Sequence, residues 1–263
     1  MPSSLRHNEQ VDPQPGERWL VVGQSGSGKT TLQSRLSSRL ADLFDSPEYI
    51  MDTKNDPLYD HPPAFYRYIV SDEAPQIGLT PRQREMQHWR TSVYQWLGRY
   101  HLLKESTVRK ALSGEVREEF ERLIWRATDD DPTEYERFLN SIHTRKKAAV
   151  INIDELANLV PSGPQSAPRS FRLLMKQGRA FGQTVIVGTQ ELAYMPRQIK
   201  GQITHLLRFR LRDSYDADII NKMVGVDFEE PKDRFGFYYT RLDRPCPVWY
   251  YSDYREFLGG YRS

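Results

Sequence analysis

An α/β fold with a mainly parallel central sheet is predicted by three observations. Short apolar runs recur along the chain, namely RWLVV (18–22), AAVINI (148–153) and TVIV (184–187). Near-continuous apolar runs suit strands buried on both faces, as in parallel sheets. The first run leads at once into a glycine loop, GQSGSGKTT (23–31), and then into a helix-period segment. The second run ends in the acidic pair Asp154 and Glu155.

The elements follow in chain order. Residues 1–16 are polar and proline-bearing with no apolar core, and are expected to form a loose arm before a single domain spanning 17–263. KTTLQSRLSSRLADLF (29–44) places Leu32, Leu36, Leu40 and Leu43 on one helical face. YIMD (49–52) and YRYIVSD (66–72) read as strands separated by the proline-rich HPPAF. From Thr80 to about Thr144 the texture changes. Met86, Trp89, Val93, Leu97 and Tyr100 recur at helical spacing, and EVREEFERLIWRA and PTEYERFLNSIH continue the pattern. A helical insert at about 80–144 is expected, its arginines either on solvated faces or touching nucleic acid or a neighbouring subunit. The sheet resumes at AAVINIDEL (148–156), followed by the turn-rich loop PSGPQSAP (161–168) and the helix RSFRLLMKQGRAFGQ. TVIVGTQ (184–190) and THLLRFRL (204–211) are further strands, and DSYDADIINKMVG is a short helix stopped by Gly225. RFGFYYTRL and CPVWYYSDY read as antiparallel edge strands, the second guarded by Pro245 and Pro247. Their alternating aromatics suit sheet packing or base stacking.

The loop carries chemistry. Gly23, Gly28, Lys29 and Thr30 fit the phosphate-loop spacing G-x-x-x-x-G-K-[ST]. Glycines let successive backbone N–H groups turn toward phosphate oxygens, Lys29 reaches the β- and γ-phosphates, and the Thr30 hydroxyl ligates Mg²⁺. Strand, loop and helix N-terminus together form an anion site. Gly23, Gln24, Ser25, Gly26, Ser27, Gly28, Lys29, Thr30 and Thr31 are therefore the expected nucleotide contacts, and the fold expected is that of a P-loop NTPase. At the end of the second run, Asp154 would hold Mg²⁺ through water and Glu155 would orient or deprotonate the attacking water.

Composition sets outer limits. Lys and Arg number 37 against 35 acidic residues, so net charge says nothing about nucleic acid and any DNA surface must be local. The single cysteine, Cys246, allows no internal disulfide and suits a reducing compartment. The apolar runs are far shorter than the roughly 20 residues a bilayer span needs. Six scattered histidines offer no metal-cluster spacing beyond Mg²⁺, and His205 is expected to be a packed strand residue.

A wider pattern joins the phosphate loop, MDTKND (51–56), VINIDE, LMKQGRAFGQTVIVGTQ and THLLRFRLRDSYDADIINKMVG. This ordered set resembles the FtsK/HerA superfamily of DNA-pumping ATPases and covers most of 18–226. DTKND lacks the glycine often found after the family's lysine, which leaves the role of Lys54 open. The resemblance implies ATP with Mg²⁺ and a sheet-borne Gln190 that senses the γ-phosphate. It also implies an Arg179 that reaches a neighbouring subunit's site, with Arg172 the second choice. Gln190 could otherwise be a polar strand end, and Arg179 a cation favoured by a helix dipole. The compact members of that group are genome-packaging ATPases of double-stranded DNA viruses with an internal membrane. The expectation is therefore a sequence-independent motor on double-stranded DNA, built as a hexameric ring, with capsid or virion-vertex proteins as partners. It would work in host cytoplasm or virion. A HerA-like repair translocase and a protein-remodelling ATPase are the alternatives.

Overall fold

The computed structural model describes residues 11–53, 67–70, 102–104, 122–126, 132–160, 167–193 and 195–259. Its strands are β1 (Arg18–Val22), β2 (Glu48–Asp52), β3 (Arg67–Val70), β4 (Leu102–Lys104), β5 (Arg122–Arg126), β6 (Ala149–Ile153), β7 (Gln183–Thr189), β8 (His205–Arg208), β9 (Phe237–Arg241) and β10 (Trp249–Tyr251). They form one sheet of 10 strands in the order β10-β9-β8-β1-β7-β6-β2-β5-β3-β4. Strands β1 to β8 are parallel, and β9 and β10 close one edge antiparallel. The helices are α1 (Lys29–Phe44), α2 (Pro132–Thr144), α3 (Arg169–Gln177), α4 (Arg197–Lys200), α5 (Ser214–Val224) and α6 (Tyr254–Gly259).

The period-2 alternation of buried strands divides the core between two faces. Leu20 and Val22 of β1 join Tyr135, Phe138, Leu139, Phe171 and Leu174 from α2 and α3. Trp19 and Val21 join Leu32, Leu36 and Leu40 of α1 with Phe237, Tyr239 and Phe257. Leu43, expected on the same stripe, is exposed, and Phe44 packs in its place. The aromatics of the edge strands are mainly core, and His205 lies flat on Trp19 with ring centroids 3.6 Å apart.

Two expectations are corrected. The arm does not stay loose up to residue 16: Val11 is buried, the Gly16 N–H donates to Thr184 Oγ1 at 2.9 Å, and Arg241 donates to the Asp12 carbonyl. Nor is 80–144 a purely helical insert. Among its described residues α2 is helical, but β4 and β5 extend the main sheet. Leu123, Ile124 and Trp125 are fully buried between neighbouring strands and helix, with Trp125 stacked on Phe138 at 5.2 Å. Burial on both faces outweighs the local helical pattern of EVREEFERLIWRA. The amphipathic segment around Trp89 lies outside the described residues.

One buried cation ties the N-terminal edge of the sheet together. Arg18 is 2% exposed, and its guanidinium donates to five carbonyls, those of Gly16, Glu17, Leu174, Met175 and Gln183. Two of these, the Leu174 and Met175 carbonyls, belong to the last turn of α3, and that of Leu174 also accepts the Gly178 N–H. Burial, with a smaller contribution from Arg179, lowers its pKa to about 10, which leaves it charged at neutral pH. Arg18→Ala strands these acceptors in the interior. The expected loss is about 3 kcal/mol or more, a melting temperature lower by roughly 6–12 °C in calorimetry. An unchanged melting temperature would show that water replaces the guanidinium without cost.

Candidate nucleotide-binding and active site

β1 lies between β7 and β8, so the loop that leaves it hangs between two strand ends. The Gly23 N–H donates to the Thr189 carbonyl at 3.3 Å and the Gln24 N–H to the Arg210 carbonyl at 2.8 Å. Gly26 (φ 74°) and Gly28 (φ 95°) adopt left-handed backbone that other residues rarely take, which curls the chain inward. Gly28 also caps α1 without any side-chain hydrogen bond, so the first-turn N–H groups face the loop mouth. Lys29 is buried, and its Nζ donates to the Gln24 carbonyl at 2.9 Å, across the base of the loop. Ser25 and Gly26 are exposed at the rim, and Thr30 and Thr31 are half-buried in the first turn of α1. The Ser27 hydroxyl is buried and has no hydrogen-bond partner among the described residues. A phosphate oxygen is the kind of acceptor that would satisfy it.

Asp154 follows β6 and is 1% exposed, with its backbone N–H bonded to the Met51 carbonyl at 3.2 Å. No group of three or more His, Cys, Asp or Glu among the described residues forms a cage for a metal. A Thr30 hydroxyl and an Asp154 carboxylate are hard oxygen donors, the set that suits Mg²⁺ shared with substrate phosphates. The donors fit, and these residues would hold the ion. Bound there, Mg²⁺ would neutralise charge on the transferring phosphate.

Glu155 and Gln190 form one unit. The Gln190 backbone N–H donates to Glu155 Oε1 at 3.1 Å, and its side-chain amide donates to Oε2 at 3.2 Å. Both carboxylate oxygens are thereby aimed by the residue expected to sense the γ-phosphate. Gln190 keeps a carbonyl oxygen and a second N–H for water or phosphate. Gly188 makes the approach possible. A Cβ there would collide with the Asp154 carbonyl and the Gln33 amide. Gln33, fully buried on α1, donates to Asn152 Oδ1 at 3.2 Å and to the Ile153 carbonyl at 3.1 Å, and so fastens α1 to the strand that bears the acidic pair. Asn158 donates to the Thr53 carbonyl and hydroxyl, which joins the end of β2 to the same acidic loop. Lys54 lies outside the described residues.

The arginines separate by strand polarity. Arg179 sits in the 3-10 turn that precedes β7, exposed, at the edge where the parallel strands begin. Gln190 follows the other end of β7, about 20 Å away at the usual rise per residue. Arg169 and Arg172, also exposed, lie in the first turn of α3, on the edge where the strands end. The structure therefore brings Lys29, Asp154, Glu155 and Gln190 to one edge and leaves Arg179 on the opposite one.

A family model described as ABC transporter matches residues 7–132, which includes the phosphate loop but stops short of Asp154 and Glu155. A search of curated proteins by sequence finds no match. Solved structures match over nearly the whole chain. The genome packaging NTPase B204 from Sulfolobus turreted icosahedral virus 2, in complex with ATP-gammaS, is 11% identical with a TM-score of 0.61, covering 91% of this chain and 98% of its own. The bacterial conjugative coupling protein TrwB is 11% identical with a TM-score of 0.55, covering 91% and 85%. VirB4 of Thermoanaerobacter pseudethanolicus is 13% identical with a TM-score of 0.52, covering 86% and 87%. Fold and site define the class of this protein: it is a P-loop ATPase. Within that class its fold is the one shared by these three structures.

Sequence reasoning missed Arg18, Gln33, Gly188 and Asp216. Asp216 stands where a capping-box acid would turn back on its own helix. Instead its carboxylate accepts the N–H groups of Leu192 and Ala193 at 3.0 and 3.1 Å, which holds the chain just after Gln190. Only the polar residue inside the leucine stripe of α1, Gln33, left a visible signal in the sequence.

Lys29→Ala is expected to abolish ATP binding in calorimetry. Glu155→Gln should bind ATP normally while phosphate release falls by about 10²-fold or more. Phosphate release at the wild-type rate from Glu155→Gln would remove Glu155 as the base.

Proposed function

Results

Sequence analysis

An α/β fold with a mainly parallel central sheet is predicted by three observations. Short apolar runs recur along the chain, namely RWLVV (18–22), AAVINI (148–153) and TVIV (184–187). Near-continuous apolar runs suit strands buried on both faces, as in parallel sheets. The first run leads at once into a glycine loop, GQSGSGKTT (23–31), and then into a helix-period segment. The second run ends in the acidic pair Asp154 and Glu155.

The elements follow in chain order. Residues 1–16 are polar and proline-bearing with no apolar core, and are expected to form a loose arm before a single domain spanning 17–263. KTTLQSRLSSRLADLF (29–44) places Leu32, Leu36, Leu40 and Leu43 on one helical face. YIMD (49–52) and YRYIVSD (66–72) read as strands separated by the proline-rich HPPAF. From Thr80 to about Thr144 the texture changes. Met86, Trp89, Val93, Leu97 and Tyr100 recur at helical spacing, and EVREEFERLIWRA and PTEYERFLNSIH continue the pattern. A helical insert at about 80–144 is expected, its arginines either on solvated faces or touching nucleic acid or a neighbouring subunit. The sheet resumes at AAVINIDEL (148–156), followed by the turn-rich loop PSGPQSAP (161–168) and the helix RSFRLLMKQGRAFGQ. TVIVGTQ (184–190) and THLLRFRL (204–211) are further strands, and DSYDADIINKMVG is a short helix stopped by Gly225. RFGFYYTRL and CPVWYYSDY read as antiparallel edge strands, the second guarded by Pro245 and Pro247. Their alternating aromatics suit sheet packing or base stacking.

The loop carries chemistry. Gly23, Gly28, Lys29 and Thr30 fit the phosphate-loop spacing G-x-x-x-x-G-K-[ST]. Glycines let successive backbone N–H groups turn toward phosphate oxygens, Lys29 reaches the β- and γ-phosphates, and the Thr30 hydroxyl ligates Mg²⁺. Strand, loop and helix N-terminus together form an anion site. Gly23, Gln24, Ser25, Gly26, Ser27, Gly28, Lys29, Thr30 and Thr31 are therefore the expected nucleotide contacts, and the fold expected is that of a P-loop NTPase. At the end of the second run, Asp154 would hold Mg²⁺ through water and Glu155 would orient or deprotonate the attacking water.

Composition sets outer limits. Lys and Arg number 37 against 35 acidic residues, so net charge says nothing about nucleic acid and any DNA surface must be local. The single cysteine, Cys246, allows no internal disulfide and suits a reducing compartment. The apolar runs are far shorter than the roughly 20 residues a bilayer span needs. Six scattered histidines offer no metal-cluster spacing beyond Mg²⁺, and His205 is expected to be a packed strand residue.

A wider pattern joins the phosphate loop, MDTKND (51–56), VINIDE, LMKQGRAFGQTVIVGTQ and THLLRFRLRDSYDADIINKMVG. This ordered set resembles the FtsK/HerA superfamily of DNA-pumping ATPases and covers most of 18–226. DTKND lacks the glycine often found after the family's lysine, which leaves the role of Lys54 open. The resemblance implies ATP with Mg²⁺ and a sheet-borne Gln190 that senses the γ-phosphate. It also implies an Arg179 that reaches a neighbouring subunit's site, with Arg172 the second choice. Gln190 could otherwise be a polar strand end, and Arg179 a cation favoured by a helix dipole. The compact members of that group are genome-packaging ATPases of double-stranded DNA viruses with an internal membrane. The expectation is therefore a sequence-independent motor on double-stranded DNA, built as a hexameric ring, with capsid or virion-vertex proteins as partners. It would work in host cytoplasm or virion. A HerA-like repair translocase and a protein-remodelling ATPase are the alternatives.

Overall fold

The computed structural model describes residues 11–53, 67–70, 102–104, 122–126, 132–160, 167–193 and 195–259. Its strands are β1 (Arg18–Val22), β2 (Glu48–Asp52), β3 (Arg67–Val70), β4 (Leu102–Lys104), β5 (Arg122–Arg126), β6 (Ala149–Ile153), β7 (Gln183–Thr189), β8 (His205–Arg208), β9 (Phe237–Arg241) and β10 (Trp249–Tyr251). They form one sheet of 10 strands in the order β10-β9-β8-β1-β7-β6-β2-β5-β3-β4. Strands β1 to β8 are parallel, and β9 and β10 close one edge antiparallel. The helices are α1 (Lys29–Phe44), α2 (Pro132–Thr144), α3 (Arg169–Gln177), α4 (Arg197–Lys200), α5 (Ser214–Val224) and α6 (Tyr254–Gly259).

The period-2 alternation of buried strands divides the core between two faces. Leu20 and Val22 of β1 join Tyr135, Phe138, Leu139, Phe171 and Leu174 from α2 and α3. Trp19 and Val21 join Leu32, Leu36 and Leu40 of α1 with Phe237, Tyr239 and Phe257. Leu43, expected on the same stripe, is exposed, whereas its neighbour Phe44 packs against the core. Phe237, Tyr239 and Tyr251 of the edge strands are core residues, and His205 lies flat on Trp19 with ring centroids 3.6 Å apart.

Two expectations are corrected. The arm does not stay loose up to residue 16: Val11 is buried, the Gly16 N–H donates to Thr184 Oγ1 at 2.9 Å, and Arg241 donates to the Asp12 carbonyl. Nor is 80–144 a purely helical insert. Among its described residues α2 is helical, but β4 and β5 extend the main sheet. Leu123, Ile124 and Trp125 are fully buried, with Trp125 stacked on Phe138 at 5.2 Å. Burial on both faces outweighs the local helical pattern of EVREEFERLIWRA. The amphipathic segment around Trp89 lies outside the described residues.

One buried cation ties the N-terminal edge of the sheet together. Arg18 is 2% exposed, and its guanidinium donates to five carbonyls, those of Gly16, Glu17, Leu174, Met175 and Gln183. Two of these, the Leu174 and Met175 carbonyls, belong to the last turn of α3, and that of Leu174 also accepts the Gly178 N–H. Burial, with a smaller contribution from Arg179, lowers its pKa to about 10, which leaves it charged at neutral pH. Arg18→Ala strands these acceptors in the interior. The expected loss is about 3 kcal/mol or more, a melting temperature lower by roughly 6–12 °C in calorimetry. An unchanged melting temperature would mean that water replaces the guanidinium without cost.

Candidate nucleotide-binding and active site

β1 lies between β7 and β8, so the loop that leaves it hangs between two strand ends. The Gly23 N–H donates to the Thr189 carbonyl at 3.3 Å and the Gln24 N–H to the Arg210 carbonyl at 2.8 Å. Gly26 (φ 74°) and Gly28 (φ 95°) adopt left-handed backbone that other residues rarely take, which curls the chain inward. Gly28 also caps α1 without any side-chain hydrogen bond, which leaves the first-turn N–H groups for an anion. Lys29 is buried, and its Nζ donates to the Gln24 carbonyl at 2.9 Å, within the loop. Ser25 and Gly26 are exposed, and Thr30 and Thr31 are half-buried in the first turn of α1. The Ser27 hydroxyl is buried and has no hydrogen-bond partner among the described residues. A phosphate oxygen is the kind of acceptor that would satisfy it.

Asp154 follows β6 and is 1% exposed, with its backbone N–H bonded to the Met51 carbonyl at 3.2 Å. No group of three or more His, Cys, Asp or Glu among the described residues forms a cage for a metal. A Thr30 hydroxyl and an Asp154 carboxylate are hard oxygen donors, the set that suits Mg²⁺ shared with substrate phosphates. The donors fit, and these residues would hold the ion. Bound there, Mg²⁺ would neutralise charge on the transferring phosphate.

Glu155 and Gln190 form one unit. The Gln190 backbone N–H donates to Glu155 Oε1 at 3.1 Å, and its side-chain amide donates to Oε2 at 3.2 Å. Both carboxylate oxygens are thereby aimed by the residue expected to sense the γ-phosphate. Gln190 keeps a carbonyl oxygen and a second N–H for water or phosphate. Gly188 makes the approach possible, because a Cβ there would collide with the Asp154 carbonyl and the Gln33 amide. Gln33, fully buried on α1, donates to Asn152 Oδ1 at 3.2 Å and to the Ile153 carbonyl at 3.1 Å. It fastens α1 to the strand that bears the acidic pair. Asn158 donates to the Thr53 carbonyl and hydroxyl, which joins the end of β2 to the same acidic loop. Lys54 lies outside the described residues.

The arginines separate by strand polarity. Arg179 sits in the 3-10 turn that precedes β7, exposed, at the edge where the parallel strands begin. Gln190 follows the other end of β7, about 20 Å away at the usual rise per residue. Arg169 and Arg172, also exposed, lie at the start of α3, toward the edge where the strands end. The structure therefore brings Lys29, Asp154, Glu155 and Gln190 to one edge and leaves Arg179 on the opposite one.

A family model described as ABC transporter matches residues 7–132, which includes the phosphate loop but stops short of Asp154 and Glu155. A search of curated proteins by sequence finds no match. Solved structures match over most of the chain. The genome packaging NTPase B204 from Sulfolobus turreted icosahedral virus 2, in complex with ATP-gammaS, is 11% identical with a TM-score of 0.61, covering 91% of this chain and 98% of its own. The bacterial conjugative coupling protein TrwB is 11% identical with a TM-score of 0.55, covering 91% and 85%. VirB4 of Thermoanaerobacter pseudethanolicus is 13% identical with a TM-score of 0.52, covering 86% and 87%. Fold and site define the class: this chain is a P-loop ATPase. Within that class its fold is the one shared by these three structures.

Sequence reasoning missed Arg18, Gln33, Gly188 and Asp216. Asp216 stands where a capping-box acid would turn back on its own helix. Instead its carboxylate accepts the N–H groups of Leu192 and Ala193 at 3.0 and 3.1 Å, which holds the chain just after Gln190. Gln33 alone left a visible signal, as a polar residue beside the leucine stripe of α1.

Lys29→Ala is expected to abolish ATP binding in calorimetry. Glu155→Gln should bind ATP normally while phosphate release falls by about 10²-fold or more. Phosphate release at the wild-type rate from Glu155→Gln would remove Glu155 as the base.

Proposed function

We propose that this ATPase is a sequence-independent translocase of double-stranded DNA that works as a ring and packages a viral genome. The position of Arg179 carries the reading. Its own γ-phosphate edge is about 20 Å away along β7, far beyond the span of one side chain. An exposed arginine so placed is out of reach of its own site and is available to the site of a neighbouring subunit. Head-to-tail contacts of that kind generate closed rings when the rotation closes. An arginine supplied in trans adds roughly 10³–10⁵-fold to phosphoryl transfer and makes hydrolysis depend on assembly.

DNA as the load is supported by the end-to-end likeness to the packaging NTPase, which is stronger than the likeness to the conjugative coupling protein TrwB or to VirB4. A hexameric ring, capsid or virion-vertex partners, and a place in host cytoplasm or virion belong to the same reading. No helix among the described residues is long and apolar enough to cross a membrane. Arg169, exposed at the start of α3, is the proposed backbone contact, because it follows the acidic strand on the nucleotide edge.

A motor that runs along any genome grips phosphates and not base edges. Double-stranded DNA of unrelated sequences should therefore stimulate ATP hydrolysis equally at low salt. That stimulation should fall steeply between about 50 and 200 mM salt. Hydrolysis indifferent to DNA at low salt would remove the translocase reading, and stimulation by an unfolded protein instead would favour remodelling.

A further inference from the structure

Five large apolar side chains are exposed among the described residues, and one of them, Phe235, stands beside the phosphate loop. Phe235 is 48% exposed. A Cβ placed on Gly28 would lie 3.3 Å from Phe235 Cδ1, so the ring borders the N-cap of α1 where the phosphate cradle ends. Phe209, buried beneath, comes within 3.8 Å of the same point. The Arg234 guanidinium lies 5.2 Å from the Phe235 ring centre, within range of a cation–π contact.

The segment that presents this ring is tied at several points. Tyr250 donates its hydroxyl to Asp233 Oδ2 at 2.7 Å and accepts the Asp233 N–H at 3.0 Å. Gly236 returns its N–H to the Asp233 carbonyl, and a Cβ there would collide with the Tyr250 hydroxyl. Upstream, Arg208 donates to the Glu229 carbonyl and to Glu230, and Arg210 donates to the Pro231 carbonyl at 3.0 Å. Arg210 is also the residue whose carbonyl accepts the Gln24 N–H of the phosphate loop. The aromatic ring and the phosphate cradle are thus held in one hydrogen-bonded frame.

We propose that Phe235 is the platform on which the nucleobase of the bound triphosphate stacks, with Arg234 flanking it; this rests on the phosphate loop being the nucleotide site. A triphosphate seated on the loop carries a ribose and base past α1's first turn, and Phe235 is the exposed aromatic ring bordering that turn. Exposure of so large an apolar surface is unfavourable in water and becomes favourable once a flat base covers it. Stacking on an aromatic side chain reads the face of a base, not its edge.

The test compares ATP with inorganic triphosphate, both with Mg²⁺, by calorimetry on wild type, Phe235→Ala, Phe235→Trp and Lys29→Ala. The expected result is that Phe235→Ala weakens ATP binding by about tenfold or more while inorganic triphosphate binds as in wild type. Phe235→Trp should keep ATP affinity, and its indole fluorescence should be quenched by ATP but not by triphosphate. Phe235 is exposed, so a native melting temperature is expected for both variants. Unchanged ATP affinity in Phe235→Ala, with Lys29→Ala still unable to bind, would overturn the platform and leave the nucleotide site standing. Equal weakening of both ligands would assign Phe235 to support of the loop and also overturn it. Wild type that binds neither ligand would overturn the nucleotide site and the platform together.

Discussion

Strand polarity is the constraint on which the rest of this molecule depends. Eight neighbouring strands run in one direction, so their carboxyl ends, and only those ends, meet along one edge. β8, β1, β7 and β6 are consecutive in the sheet. Chain segments far apart in sequence therefore arrive together: the phosphate loop from β1, the acidic pair from β6, Gln190 from β7 and the Phe209 turn from β8. The same polarity sends Arg179 to the opposite edge. A site with all its charges on one edge and one arginine on the other is complete only when a second subunit is added.

Burial makes that edge chemically active. Lys29, Asp154 and Glu155 are each 5% exposed or less. Charged groups held out of water interact more strongly than they would in solution, and each must be met by a partner or a ligand. The Glu155–Gln190 pair meets this requirement between the proposed base and the proposed sensor, so movement of one alters the aim of the other. The structural ties follow the same logic. Gln33, Asn158 and Asp216 are polar side chains whose work is to hold loop backbone, and none touches the expected position of the nucleotide.

The segments legible in the sequence were those whose local pattern and tertiary role agree. β1, α1 and β6 carry a run or stripe that matches their burial, and the phosphate loop has a spacing that its chemistry requires. β5 is not legible because EVREEFERLIWRA has helical charge spacing, while the strands that bury it, β2 and β3, are distant in sequence.

Results

Sequence analysis

An α/β fold with a mainly parallel central sheet is predicted by three observations. Short apolar runs recur along the chain, namely RWLVV (18–22), AAVINI (148–153) and TVIV (184–187). Near-continuous apolar runs suit strands buried on both faces, as in parallel sheets. The first run leads at once into a glycine loop, GQSGSGKTT (23–31), and then into a helix-period segment. The second run ends in the acidic pair Asp154 and Glu155.

The elements follow in chain order. Residues 1–16 are polar and proline-bearing with no apolar core, and are expected to form a loose arm before a single domain spanning 17–263. KTTLQSRLSSRLADLF (29–44) places Leu32, Leu36, Leu40 and Leu43 on one helical face. YIMD (49–52) and YRYIVSD (66–72) read as strands separated by the proline-rich HPPAF. From Thr80 to about Thr144 the texture changes. Met86, Trp89, Val93, Leu97 and Tyr100 recur at helical spacing, and EVREEFERLIWRA and PTEYERFLNSIH continue the pattern. A helical insert at about 80–144 is expected, its arginines either on solvated faces or touching nucleic acid or a neighbouring subunit. The sheet resumes at AAVINIDEL (148–156), followed by the turn-rich loop PSGPQSAP (161–168) and the helix RSFRLLMKQGRAFGQ. TVIVGTQ (184–190) and THLLRFRL (204–211) are further strands, and DSYDADIINKMVG is a short helix stopped by Gly225. RFGFYYTRL and CPVWYYSDY read as antiparallel edge strands, the second guarded by Pro245 and Pro247. Their alternating aromatics suit sheet packing or base stacking.

The loop carries chemistry. Gly23, Gly28, Lys29 and Thr30 fit the phosphate-loop spacing G-x-x-x-x-G-K-[ST]. Glycines let successive backbone N–H groups turn toward phosphate oxygens, Lys29 reaches the β- and γ-phosphates, and the Thr30 hydroxyl ligates Mg²⁺. Strand, loop and helix N-terminus together form an anion site. Gly23, Gln24, Ser25, Gly26, Ser27, Gly28, Lys29, Thr30 and Thr31 are therefore the expected nucleotide contacts, and the fold expected is that of a P-loop NTPase. At the end of the second run, Asp154 would hold Mg²⁺ through water and Glu155 would orient or deprotonate the attacking water.

Composition sets outer limits. Lys and Arg number 37 against 35 acidic residues, so net charge says nothing about nucleic acid and any DNA surface must be local. The single cysteine, Cys246, allows no internal disulfide and suits a reducing compartment. The apolar runs are far shorter than the roughly 20 residues a bilayer span needs. Six scattered histidines offer no metal-cluster spacing beyond Mg²⁺, and His205 is expected to be a packed strand residue.

A wider pattern joins the phosphate loop, MDTKND (51–56), VINIDE, LMKQGRAFGQTVIVGTQ and THLLRFRLRDSYDADIINKMVG. This ordered set resembles the FtsK/HerA superfamily of DNA-pumping ATPases and covers most of 18–226. DTKND lacks the glycine often found after the family's lysine, which leaves the role of Lys54 open. The resemblance implies ATP with Mg²⁺ and a sheet-borne Gln190 that senses the γ-phosphate. It also implies an Arg179 that reaches a neighbouring subunit's site, with Arg172 the second choice. Gln190 could otherwise be a polar strand end, and Arg179 a cation favoured by a helix dipole. The compact members of that group are genome-packaging ATPases of double-stranded DNA viruses with an internal membrane. The expectation is therefore a sequence-independent motor on double-stranded DNA, built as a hexameric ring, with capsid or virion-vertex proteins as partners. It would work in host cytoplasm or virion. A HerA-like repair translocase and a protein-remodelling ATPase are the alternatives.

Overall fold

The computed structural model describes residues 11–53, 67–70, 102–104, 122–126, 132–160, 167–193 and 195–259. Its strands are β1 (Arg18–Val22), β2 (Glu48–Asp52), β3 (Arg67–Val70), β4 (Leu102–Lys104), β5 (Arg122–Arg126), β6 (Ala149–Ile153), β7 (Gln183–Thr189), β8 (His205–Arg208), β9 (Phe237–Arg241) and β10 (Trp249–Tyr251). They form one sheet of 10 strands in the order β10-β9-β8-β1-β7-β6-β2-β5-β3-β4. Strands β1 to β8 are parallel, and β9 and β10 close one edge antiparallel. The helices are α1 (Lys29–Phe44), α2 (Pro132–Thr144), α3 (Arg169–Gln177), α4 (Arg197–Lys200), α5 (Ser214–Val224) and α6 (Tyr254–Gly259).

The period-2 alternation of buried strands divides the core between two faces. Leu20 and Val22 of β1 join Tyr135, Phe138, Leu139, Phe171 and Leu174 from α2 and α3. Trp19 and Val21 join Leu32, Leu36 and Leu40 of α1 with Phe237, Tyr239 and Phe257. Leu43, expected on the same stripe, is exposed, whereas its neighbour Phe44 packs against the core. Phe237, Tyr239 and Tyr251 of the edge strands are core residues, and His205 lies flat on Trp19 with ring centroids 3.6 Å apart.

Two expectations are corrected. The arm does not stay loose up to residue 16: Val11 is buried, the Gly16 N–H donates to Thr184 Oγ1 at 2.9 Å, and Arg241 donates to the Asp12 carbonyl. Nor is 80–144 a purely helical insert. Among its described residues α2 is helical, but β4 and β5 extend the main sheet. Leu123, Ile124 and Trp125 are fully buried, with Trp125 stacked on Phe138 at 5.2 Å. Burial on both faces outweighs the local helical pattern of EVREEFERLIWRA. The amphipathic segment around Trp89 lies outside the described residues.

One buried cation ties the N-terminal edge of the sheet together. Arg18 is 2% exposed, and its guanidinium donates to five carbonyls, those of Gly16, Glu17, Leu174, Met175 and Gln183. Two of these, the Leu174 and Met175 carbonyls, belong to the last turn of α3, and that of Leu174 also accepts the Gly178 N–H. Burial, with a smaller contribution from Arg179, lowers its pKa to about 10, which leaves it charged at neutral pH. Arg18→Ala strands these acceptors in the interior. The expected loss is about 3 kcal/mol or more, a melting temperature lower by roughly 6–12 °C in calorimetry. An unchanged melting temperature would mean that water replaces the guanidinium without cost.

Candidate nucleotide-binding and active site

β1 lies between β7 and β8, so the loop that leaves it hangs between two strand ends. The Gly23 N–H donates to the Thr189 carbonyl at 3.3 Å and the Gln24 N–H to the Arg210 carbonyl at 2.8 Å. Gly26 (φ 74°) and Gly28 (φ 95°) adopt left-handed backbone that other residues rarely take, which curls the chain inward. Gly28 also caps α1 without any side-chain hydrogen bond, which leaves the first-turn N–H groups for an anion. Lys29 is buried, and its Nζ donates to the Gln24 carbonyl at 2.9 Å, within the loop. Ser25 and Gly26 are exposed, and Thr30 and Thr31 are half-buried in the first turn of α1. The Ser27 hydroxyl is buried and has no hydrogen-bond partner among the described residues. A phosphate oxygen is the kind of acceptor that would satisfy it.

Asp154 follows β6 and is 1% exposed, with its backbone N–H bonded to the Met51 carbonyl at 3.2 Å. No group of three or more His, Cys, Asp or Glu among the described residues forms a cage for a metal. A Thr30 hydroxyl and an Asp154 carboxylate are hard oxygen donors, the set that suits Mg²⁺ shared with substrate phosphates. The donors fit, and these residues would hold the ion. Bound there, Mg²⁺ would neutralise charge on the transferring phosphate.

Glu155 and Gln190 form one unit. The Gln190 backbone N–H donates to Glu155 Oε1 at 3.1 Å, and its side-chain amide donates to Oε2 at 3.2 Å. Both carboxylate oxygens are thereby aimed by the residue expected to sense the γ-phosphate. Gln190 keeps a carbonyl oxygen and a second N–H for water or phosphate. Gly188 makes the approach possible, because a Cβ there would collide with the Asp154 carbonyl and the Gln33 amide. Gln33, fully buried on α1, donates to Asn152 Oδ1 at 3.2 Å and to the Ile153 carbonyl at 3.1 Å. It fastens α1 to the strand that bears the acidic pair. Asn158 donates to the Thr53 carbonyl and hydroxyl, which joins the end of β2 to the same acidic loop. Lys54 lies outside the described residues.

The arginines separate by strand polarity. Arg179 sits in the 3-10 turn that precedes β7, exposed, at the edge where the parallel strands begin. Gln190 follows the other end of β7, about 20 Å away at the usual rise per residue. Arg169 and Arg172, also exposed, lie at the start of α3, toward the edge where the strands end. The structure therefore brings Lys29, Asp154, Glu155 and Gln190 to one edge and leaves Arg179 on the opposite one.

A family model described as ABC transporter matches residues 7–132, which includes the phosphate loop but stops short of Asp154 and Glu155. A search of curated proteins by sequence finds no match. Solved structures match over most of the chain. The genome packaging NTPase B204 from Sulfolobus turreted icosahedral virus 2, in complex with ATP-gammaS, is 11% identical with a TM-score of 0.61, covering 91% of this chain and 98% of its own. The bacterial conjugative coupling protein TrwB is 11% identical with a TM-score of 0.55, covering 91% and 85%. VirB4 of Thermoanaerobacter pseudethanolicus is 13% identical with a TM-score of 0.52, covering 86% and 87%. Fold and site define the class: this chain is a P-loop ATPase. Within that class its fold is the one shared by these three structures.

Sequence reasoning missed Arg18, Gln33, Gly188 and Asp216. Asp216 stands where a capping-box acid would turn back on its own helix. Instead its carboxylate accepts the N–H groups of Leu192 and Ala193 at 3.0 and 3.1 Å, which holds the chain just after Gln190. Gln33 alone left a visible signal, as a polar residue beside the leucine stripe of α1.

Lys29→Ala is expected to abolish ATP binding in calorimetry. Glu155→Gln should bind ATP normally while phosphate release falls by about 10²-fold or more. Phosphate release at the wild-type rate from Glu155→Gln would remove Glu155 as the base.

Proposed function

We propose that this ATPase is a sequence-independent translocase of double-stranded DNA that works as a ring and packages a viral genome. The position of Arg179 carries the reading. Its own γ-phosphate edge is about 20 Å away along β7, far beyond the span of one side chain. An exposed arginine so placed is out of reach of its own site and is available to the site of a neighbouring subunit. Head-to-tail contacts of that kind generate closed rings when the rotation closes. An arginine supplied in trans adds roughly 10³–10⁵-fold to phosphoryl transfer and makes hydrolysis depend on assembly.

DNA as the load is supported by the end-to-end likeness to the packaging NTPase, which is stronger than the likeness to the conjugative coupling protein TrwB or to VirB4. A hexameric ring, capsid or virion-vertex partners, and a place in host cytoplasm or virion belong to the same reading. No helix among the described residues is long and apolar enough to cross a membrane. Arg169, exposed at the start of α3, is the proposed backbone contact, because it follows the acidic strand on the nucleotide edge.

A motor that runs along any genome grips phosphates and not base edges. Double-stranded DNA of unrelated sequences should therefore stimulate ATP hydrolysis equally at low salt. That stimulation should fall steeply between about 50 and 200 mM salt. Hydrolysis indifferent to DNA at low salt would remove the translocase reading, and stimulation by an unfolded protein instead would favour remodelling.

A further inference from the structure

Five large apolar side chains are exposed among the described residues, and one of them, Phe235, stands beside the phosphate loop. Phe235 is 48% exposed. A Cβ placed on Gly28 would lie 3.3 Å from Phe235 Cδ1, so the ring borders the N-cap of α1 where the phosphate cradle ends. Phe209, which is buried, comes within 3.8 Å of the same point. The Arg234 guanidinium lies 5.2 Å from the Phe235 ring centre, within range of a cation–π contact.

The segment that presents this ring is tied at several points. Tyr250 donates its hydroxyl to Asp233 Oδ2 at 2.7 Å and accepts the Asp233 N–H at 3.0 Å. Gly236 returns its N–H to the Asp233 carbonyl, and a Cβ there would collide with the Tyr250 hydroxyl. Upstream, Arg208 donates to the Glu229 carbonyl and to Glu230, and Arg210 donates to the Pro231 carbonyl at 3.0 Å. Arg210 is also the residue whose carbonyl accepts the Gln24 N–H of the phosphate loop. The aromatic ring and the phosphate cradle are thus held in one hydrogen-bonded frame.

We propose that Phe235 is the platform on which the nucleobase of the bound triphosphate stacks, with Arg234 flanking it; this rests on the phosphate loop being the nucleotide site. A triphosphate seated on the loop carries its ribose and base past the first turn of α1, and Phe235 is an exposed aromatic ring bordering that turn. Exposure of so large an apolar surface is unfavourable in water and is relieved once a flat base covers it. Stacking on an aromatic side chain reads the face of a base, not its edge.

The test compares ATP with inorganic triphosphate, both with Mg²⁺, by calorimetry on wild type, Phe235→Ala, Phe235→Trp and Lys29→Ala. The expected result is that Phe235→Ala weakens ATP binding by about tenfold or more while inorganic triphosphate binds as in wild type. Phe235→Trp should keep ATP affinity, and its indole fluorescence should be quenched by ATP but not by triphosphate. Because the side chain is exposed, both variants should melt at the wild-type temperature. Unchanged ATP affinity in Phe235→Ala, with Lys29→Ala still unable to bind, would overturn the platform and leave the nucleotide site standing. Equal weakening of both ligands would assign Phe235 to support of the loop and also overturn it. Wild type that binds neither ligand would overturn the nucleotide site and the platform together.

Discussion

Strand polarity is the constraint on which the rest of this molecule depends. Strands β1 to β8 run in one direction, so their carboxyl ends, and only those ends, meet along one edge. β8, β1, β7 and β6 are consecutive in the sheet. Chain segments far apart in sequence therefore arrive together: the phosphate loop from β1, the acidic pair from β6, Gln190 from β7 and the turn at Phe209 from β8. The same polarity sends Arg179 to the opposite edge. On the proposed reading, such a site is complete only when a second subunit is added.

Burial makes that edge chemically active. Lys29, Asp154 and Glu155 are each 5% exposed or less. Charged groups held out of water interact more strongly than in solution, and each must be met by a partner or a ligand. The Glu155–Gln190 pair meets this requirement between the proposed base and the proposed sensor, so movement of one alters the aim of the other. The supporting ties follow the same logic. Gln33, Asn158 and Asp216 are polar side chains that hold loop or strand backbone around the site, and Arg18 does the same at the far edge.

The segments legible in the sequence are those whose local pattern and tertiary role agree. β1, α1 and β6 carry a run or stripe that matches their burial, and the phosphate loop has a spacing that its chemistry requires. β5 is not legible because EVREEFERLIWRA has helical charge spacing, while the strands that bury it, β2 and β3, are distant in sequence. Gly188 lies within the GTQ motif, but the reason for it, a close approach to Asp154 and Gln33, exists only once three elements have met. Phe235 belongs to no motif, and its place beside Gly28 comes from the hydrogen bonds of Asp233 and Tyr250.

The central claim is that Arg179 completes a neighbour's site, and a mixing experiment tests it most directly. Arg179→Ala subunits and Glu155→Gln subunits, each inactive alone, are combined, and native mass measurement establishes that mixed rings form. An Arg179→Ala subunit keeps its own Glu155, and a Glu155→Gln neighbour can lend it an intact arginine. The account predicts that ATP hydrolysis returns in the mixture. Mixed rings that stay inactive would contradict it, and Arg172 would then be the arginine to replace.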